Sequence, residues 1–313
     1  MLSPVPRVQI HSTFAAIAKP TAIALGNFDG VHCGHQRAIE LLLTHTGSLH
    51  STVVTFDPHP QQFFSGQPRQ LLTTVPEKAS CLESLGIEQL VLLTFDEYLV
   101  HLTPAEFVTK ILYQELAAQQ IVIGADFRFG YQRAGDATML AKLTAEYGIE
   151  THILELEFDR DMRIGSSRVR AALLDGELQE VDRLLGRSYS ILGLVVPGQQ
   201  LGRTLGFPTA NIDYLPIKFL PHLGVYCVRV DTEQEQQLQA VMNIGKRPTV
   251  NGQSTSVEVH ILNWSGDLYG QQLTIYLDQF LRPEQKFAGL PELTSQIQAD
   301  CVAAQEFYRA KNH

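Results

Sequence analysis

The sequence predicts an α/β protein in two parts: an N-terminal domain on a parallel sheet, then a compact antiparallel β-barrel or sandwich closed by a terminal helix. At roughly 100–200 residues per domain, a chain of 313 residues accommodates both. Up to Leu185, short apolar runs alternate with helical patterns, the signature of β-α-β units on a parallel sheet. Beyond Gly186, segments of strand composition follow one another with turn residues between them and little helix. The expected domains are therefore residues 1–186 and 187–313.

In order, the first part reads as a strand TAIALG (21–26), a helix over 34–45, a strand STVVTF (51–56) and a helix over 76–85. EQLVLLTF (88–95), a helix over 104–118, QQIVIG (119–124), a helix over 136–147 and a last strand within EYGIETHILEL (146–156) complete the alternation. The second part offers YSILGLVV (189–196), GVYCVRV (224–230), LQAVMNIG (238–245), TSVEVHIL (255–262) and QLTIYL (272–277), with the polar EQEQQ (233–237) as a hairpin turn. From Pro291 onward Leu293, Ile297, Cys301, Ala304 and Phe307 recur at spacings of three and four, so one amphipathic helix ends the chain.

Composition narrows the function classes. The chain is 44% hydrophobic and carries 24 basic against 33 acidic side chains, a net charge of −9. It lacks the summed positive field that non-specific nucleic-acid or anionic-membrane binding uses, so neither is an expected partner. A phosphate-bearing small molecule needs only a local basic site. No apolar run approaches the roughly 18 residues of a membrane span, and a cytoplasmic location is expected. Cys33, Cys81, Cys227 and Cys301 lie far apart without C-x-x-C spacing, against a zinc knuckle or a disulfide framework. The charge is −8 before the boundary and −1 after it, so clustered basic residues in the first part stand out.

The first strand runs into Gly26-Asn27-Phe28-Asp29-Gly30-Val31-His32-Cys33-Gly34-His35, followed by a helix. Glycines permit close backbone approach, and a helix start presents N–H groups and a positive dipole end to an anion. Two imidazoles three positions apart add donors to phosphate oxygens, suiting a triphosphate attacked at its α-phosphorus. A tight turn with two incidental histidines, or a metal site with Asp29 as third ligand, is the alternative.

Three more segments fall where parallel strands end, the usual place for ligands in open α/β sheets. Thr55-Phe56-Asp57-Pro58-His59-Pro60 offers a carboxylate and an imidazole. Gly124-Ala125-Asp126-Phe127-Arg128-Phe129-Gly130 offers a carboxylate, a cation and two rings that suit a planar ligand, or simply a loop covering the core. Arg160, Arg163, Arg168 and Arg170 surround Ser166 and Ser167 at a further helix start, which reads as a pyrophosphate cradle or as an N-capped helix with solvated arginines.

In the second part, Gly198-Gln199-Gln200-Leu201-Gly202-Arg203-Thr204-Leu205-Gly206-Phe207-Pro208-Thr209-Ala210-Asn211 follows the first strand. It is not a Walker A loop, being one residue short, with Arg for Lys and a proline where a helix should start. Its glycines either let backbone amides surround phosphates or mark a glycine-rich hairpin with a turn proline. Thr209 and Asn211, two apart on an extended chain, point to one face and present hard oxygens that suit Mg²⁺. Glu258 alternates with Val257, Val259 and Ile261, either as an exposed strand residue or as a half-buried base.

Taken in order, G-N-F-D-G-V-H-x-G-H, T-F-D-P-H-P, L-T-x-x-x-E-K (72–78), G-A-D-F-R-F-G with Gly135-Asp136, and S-S-R-V-R resemble the adenylyltransferase module of the bacterial bifunctional riboflavin kinase/FMN adenylyltransferase family, also called FAD synthetase. G-R-x-L-G-F-P-T-A-N, G-V-Y (224–226), N-I-G-x-R-P-T (243–249), V-E-V-H-I-L (257–262), L-Y-G (268–270) and L-R-P-E-x-K-F (281–287) are similar to its riboflavin kinase module.

The resemblance implies a Rossmann-like nucleotidyltransferase domain and a riboflavin kinase barrel that use ATP, riboflavin and FMN with Mg²⁺. It implies that His32 and His35 hold ATP phosphates in a loop with Gly26, Phe28, Asp29, Gly30 and Gly34, and that Ser166, Ser167 and Arg170 grip the β,γ-pyrophosphate. Asp57 and His59 would border the flavin, the Asp126, Phe127, Arg128, Phe129 loop the flavin or the adenine, and Arg282 the flavin in the barrel. There Gly202, Gly206 and Pro208 would serve ATP, Thr209 and Asn211 the metal, and Glu258 the riboflavin 5′-hydroxyl. Gly165 stands where the family usually has Ser. One inactive module, or a flavin sensor without turnover, are the alternative functions, and the oligomeric state stays open.

Overall fold

The computed structural model describes residues 8–155, 157–160, 162–198, 202, 205–249 and 252–311. The chain packs as two compact units, dividing between Ser166 and Ser167.

The first unit contains β1 (Gln9–His11), β2 (Thr21–Leu25), α1 (Cys33–His45), β3 (His50–Asp57), α2 (Pro60–Ser65), α3 (Val75–Ser84), β4 (Gln89–Thr94), α4 (Glu97–His101) and α5 (Pro104–Glu106). Then come β5 (Ala118–Gly124), the two-residue pair β6 (Arg128–Phe129) and β7 (Gly135–Asp136), α6 (Ala137–Ala145), β8 (Glu150–Leu154) and the ribbon β9 (Phe158–Asp159) and β10 (Met162–Arg163). Six strands form one parallel sheet in the order β1-β4-β3-β2-β5-β8. The alternation of β2 explains its place at the centre. Ile23 and Leu25 face one core with Val54, Ile121, Phe107 and Leu112, whereas Ala22 and Ala24 face the other with Ile39 and Leu42 of α1 and Leu82 of α3. Small alanines let α1 lie close to the sheet.

The helix expected over 104–118 is a capped α-turn followed by a π-helix, Phe107–Glu115. Its buried residues Phe107, Val108, Ile111 and Leu112 fit α and π periods alike, so the sequence pattern does not tell the two apart. Short elements without periodicity, namely β1, α2, α4 and the two small ribbons, are not visible in the sequence.

The second unit contains α7 from Ser167 onward (α7 is Ser166–Asp175), α8 (Leu178–Leu185), β11 (Ser190–Val196), β12 (Ala210–Tyr214), β13 (Gly224–Asp231), β14 (Leu238–Thr249), β15 (Gly252–Ile261), β16 (Gln272–Pro283) and α9 (Leu290–Lys311). The strands close into an antiparallel barrel, β11-β12-β15-β14-β13-β16, which decides between barrel and sandwich. Ile191, Ile212, Tyr226, Met242, Ile244, Val257, Val259 and Ile275 are among its buried side chains. α9 lays Cys301, Ala304 and Tyr308 over Cys227 and Leu262. The β13–β14 hairpin turns through 232–237, with Gln237 N–H donating to Asp231 Oδ1 at 2.7 Å.

Packing divides the chain about twenty residues before the textural boundary at Gly186. The sequence shows the start of α7 at Ser166 and Ser167, gives no separate reading of α8, and says nothing of which core the two helices feed. Here His222 N–H donates to the Leu173 carbonyl at 3.0 Å, Phe280 lies against Gly176, and α8 packs on β16. All four cysteines are free. Burial pushes the Cys227 thiol up to about 12 and the Cys301 thiol up to about 11, each with a nearby aspartate adding to the effect, so these two are inert packing residues.

Candidate active sites

In the first unit β2, one of the sheet's two central strands, delivers the loop 26–32 to the strands' C-terminal edge. The loop turns through left-handed backbone at Phe28 (φ 46°), Gly30 (φ 86°) and Val31 (φ 42°). Such backbone in non-glycine residues is held only where surroundings over-determine it. Here the Phe28 and Val31 side chains are buried. The Asp29 carboxylate accepts from the N–H groups of Leu72 (2.8 Å) and Thr73 (3.4 Å), and Gly30 N–H donates to Thr73 Oγ1 at 3.0 Å. Asp29 thus clamps the loop to the 72–73 segment through its Oδ1. Among the described residues no cluster of His, Cys, Asp or Glu forms a metal site.

His32 is the N-cap residue of α1, without capping by its side chain, and its ring stacks on that of His35 with centroids 3.6 Å apart. Phe28 supports His35 from 4.8 Å. A Cβ at Gly34 would come within 3.3 Å of His32 Nδ1, so glycine keeps that ring's place clear. Beneath the loop lies Lys78, a residue to which sequence reasoning gave no role. Only 6% exposed, it donates to the Asn27 carbonyl (3.0 Å) and Thr55 Oγ1 (3.3 Å). Burial lowers its ammonium to about 8, opposed by Asp29 and Asp57. A lysine in the otherwise apolar rhythm of α3 was the available signal. Ser166, the last residue of the first unit, donates its hydroxyl to the Asp29 carbonyl at 2.8 Å. A Cβ at Gly165 would meet nothing within 4 Å, which leaves room for the serine the family usually has.

The neighbouring strand ends carry the other expected residues. Asp57 ends β3, and His59 caps α2 by accepting the Gln61 N–H at Nδ1 (3.1 Å). Sequence reasoning missed the aromatic group beside them. Phe56, Phe63 and Phe64 each lie 5.4–5.7 Å from Phe95, edge to face, and Phe64 is 65% exposed. After β5, Asp126 pairs with Arg163, and Arg128 with Asp136 at 3.3 Å. Phe129, expected at the flavin border, is buried against Phe107, and Gly135 leaves space for its ring, with Phe127 stacked outside it at 5.8 Å. In the second unit Arg168 is engaged by Glu180 and the Arg170 guanidinium lies 5.4 Å from the Phe219 ring.

The barrel site rests on strand register. Asn211 of β12 pairs with Glu258 of β15, which pairs with Asn243 of β14. The row continues through Val225 to Arg282. Because Ile212, Val257, Val259, Met242 and Ile244 fill the interior, Asn211, Glu258 and Asn243 share the outer face. A Cβ at Gly198 would collide with the Asn211 amide, and one at Gly202 would lie 3.1 Å from Thr209 Oγ1. Phe207 N–H donates to the Gly202 carbonyl (2.8 Å), Gly206 supplies a left-handed turn (φ 89°), and His260 Nδ1–H holds the Pro208 carbonyl at 2.8 Å. Residues 199–201, 203 and 204 of the glycine-rich stretch lie outside the described residues. Arg282 is fixed by two bonds to Asp300 of α9 (2.9 and 2.7 Å), so its guanidinium is committed to structure.

Residues 15–168 match the family described as FAD synthetase, and residues 185–308 match riboflavin kinase. The bifunctional riboflavin kinase/FMN adenylyltransferase of Escherichia coli K12 is 39% identical over 303 residues, covering 96% of each chain. The chain belongs to this bifunctional family. The Bacillus subtilis protein of the same name is 34% identical, with 92% of each chain covered. A solved Streptococcus pneumoniae chain, described as a macrolide-efflux protein, superimposes with a TM-score of 0.84 at 29% identity, over 96% of this chain and 99% of that one. Among the described residues here no helix is long and apolar enough to cross a membrane. As a riboflavin kinase/FMN adenylyltransferase, the chain is a transferase of flavin cofactor biosynthesis with a kinase module and a nucleotidyltransferase module.

Proposed function

We propose that the barrel transfers the γ-phosphoryl group of ATP to riboflavin, giving FMN and ADP, and that the α/β unit transfers AMP from a second ATP to FMN, giving FAD and pyrophosphate. The observation that carries this reading is one polar cluster in each unit, the stacked His32 and His35 in the first and the paired Asn211 and Glu258 in the second. In the barrel, Glu258 stands beside Asn211 on the outer face. Glu258 accepts the proton of the ribityl 5′-hydroxyl as that oxygen attacks the γ-phosphorus and the bond to ADP breaks. Gly206 and Pro208 shape the ATP-binding edge. Thr209 and Asn211 offer hard oxygens over a cradle that a Cβ at Gly198 or Gly202 would fill, so the residues present fit Mg²⁺. Bound there, the ion would neutralise charge on the ATP phosphates.

In the α/β unit an FMN phosphate oxygen attacks the α-phosphorus and pyrophosphate leaves. The stacked His32 and His35 supply N–H donors to the oxygens on which charge develops. Lys78 supports the loop from below as a cation under neutral conditions. Gly26, Gly30 and Gly34 allow close approach, while the Ser166 hydroxyl, donating to the Asp29 carbonyl, holds the loop in place. Phe127, Asp57 and the Phe63, Phe64, Phe95 group form the flavin border, a set of ring faces suited to stacking an isoalloxazine.

The test is to incubate the purified chain with riboflavin, ATP and Mg²⁺ and to separate FMN and FAD by chromatography. Both are expected. Formation of neither overturns the reading, and formation of FMN alone restricts it to the barrel.

A further inference from the structure

The N-I-G-x-R-P-T stretch contributes Asn243, to which the proposed reaction gives no task. We infer that Asn243 is a positioning residue for Glu258, orienting its carboxylate from the side opposite Asn211. The inference rests on the reading of the barrel as the kinase.

Three observations support it. First, Asn243 is the direct cross-strand neighbour of Glu258, and side chains directly opposite in an antiparallel pair have Cβ atoms about 4.5–5.5 Å apart. Both lie on the outer face, because Met242 and Ile244 on one strand and Val257 and Val259 on the other are buried in the barrel. Second, β14 and β15 stay paired without a break from Ala240–Ile261 to Thr249–Gly252, so the spacing of the two side chains is fixed by a continuous ladder. Third, Gly245 lies two residues along on the same face, and a Cβ there would stand 3.1 Å from Asn243 Nδ2 and 2.7 Å from Glu284 Oε1. Glycine therefore keeps space beside the carboxamide. Glu284 is held at that edge by the Lys246 N–H at 3.2 Å.

An ionised carboxylate only accepts hydrogen bonds. A base with two equivalent oxygens works best when one is held by a donor and the other faces the hydroxyl. With the Asn211 oxygen assigned to the metal, Asn243 is the amide donor on the neighbouring strand. It touches no reacting atom: the proton passes from the 5′-hydroxyl to Glu258, the hydroxyl oxygen bonds to the γ-phosphorus, and ADP departs with the bridging oxygen.

The experiment uses the full chain and measures riboflavin phosphorylation for wild type, Asn243→Ala, Asn243→Ser and Asn243→Asp, with adenylylation of supplied FMN as a measure of intact fold. Loss of a hydrogen bond to a charged group predicts a kcat about 10–100-fold lower for Asn243→Ala at nearly unchanged KM for riboflavin. Asn243→Ser, which keeps a short donor, should recover part of it. Asn243→Asp keeps the size and loses the amide donor, so its kcat should fall at least as far as that of Asn243→Ala at nearly unchanged KM. Adenylylation should match wild type in all three. A kcat within threefold of wild type for Asn243→Ala or Asn243→Asp overturns the inference while leaving the kinase reading intact. A wild-type chain that makes no FMN from riboflavin removes both.

Discussion

Replacing Asp182 with Asn should stabilise the barrel unit at neutral and alkaline pH and leave it unchanged near pH 4. The Asp182 carboxyl, on α8, is partly buried, and its Oδ1 has no hydrogen-bond partner among the described residues. Burial, then the charge of Asp278, raise it from an ordinary 3.8 to about 6, against the opposing pull of Lys311 and Arg229. Asp278 itself is fully buried and committed to Arg229 (2.8 and 2.9 Å), Tyr308 (3.0 Å) and Lys311 (3.2 Å). Because the folded-state value lies above the unfolded one, the folded chain binds more protons between about pH 4 and pH 6. Stability contributed by the neutral carboxyl is therefore present below pH 4 and lost as pH rises through 6. At about 1.4 kcal/mol per pH unit the two-unit difference sets a ceiling of about 3 kcal/mol, and solvent reaching a partly exposed carboxyl reduces this to about 1–2 kcal/mol. Asn keeps the size, carries no charge at any pH and offers Asp278 a donor. Trp264, the only tryptophan in the chain, lies in the barrel unit, so its emission follows that unit during urea unfolding. With a urea slope of about 1–3 kcal/mol per M, the midpoint of Asp182→Asn at pH 8 should rise by about 0.5–1 M, with no change at pH 4. A midpoint equal to or below wild type at pH 8 would refute the assignment of an unfavourable charge to this position.

Three other expectations concern the reaction and the boundary. His32→Ala or His35→Ala should lower FAD formation from supplied FMN by about 10²–10³-fold and leave FMN formation from riboflavin intact; an equal loss in both assays would contradict two separate sites. Glu258→Gln should lower the kinase kcat by about 10²–10⁴-fold at unchanged riboflavin affinity, and a fall of less than threefold would reduce Glu258 to a strand residue. Residues 167–313 expressed alone should unfold cooperatively in urea, whereas residues 187–313 should be insoluble or far less stable. The shorter piece loses Leu173, Leu178, Val181 and Leu184, all buried, at about 1.5–3 kcal/mol each; equal stability of the two pieces would put the boundary back at Gly186.

Much of the fold was legible because its central elements are long and uniform in pattern. TAIALG and QQIVIG are continuous apolar runs, and the barrel segments are rich in β-branched residues, so strand type and sheet class follow from composition. What stayed hidden depends on partners distant in sequence. Arg282 is visible as a cation in a plausible ligand motif, but its partner Asp300 belongs to α9. Arg168 looks solvated until Glu180 folds back beside it. Phe129 and Phe127 are indistinguishable in sequence, and only the glycine at 135 reveals which ring turns inward. Likewise the pairing of Asn211 with Glu258 depends on register between strands far apart in the chain, which no local pattern records.

That register also limits how the gene for such a chain can change in length. Thr249 and Gly252 pair directly, so only two residues separate the strands that carry Asn243 and Glu258. Because side chains alternate between faces, one inserted codon absorbed by sliding β15 would turn Glu258 into the barrel and bring Val257 or Val259 outward. Asn211 would lose its neighbour in the same event. The β13–β14 hairpin turns through residues 232–237, where an added residue is spent in solvent. Length variation among descendants of this sequence should therefore accumulate at 232–237 and be purged between Thr249 and Gly252.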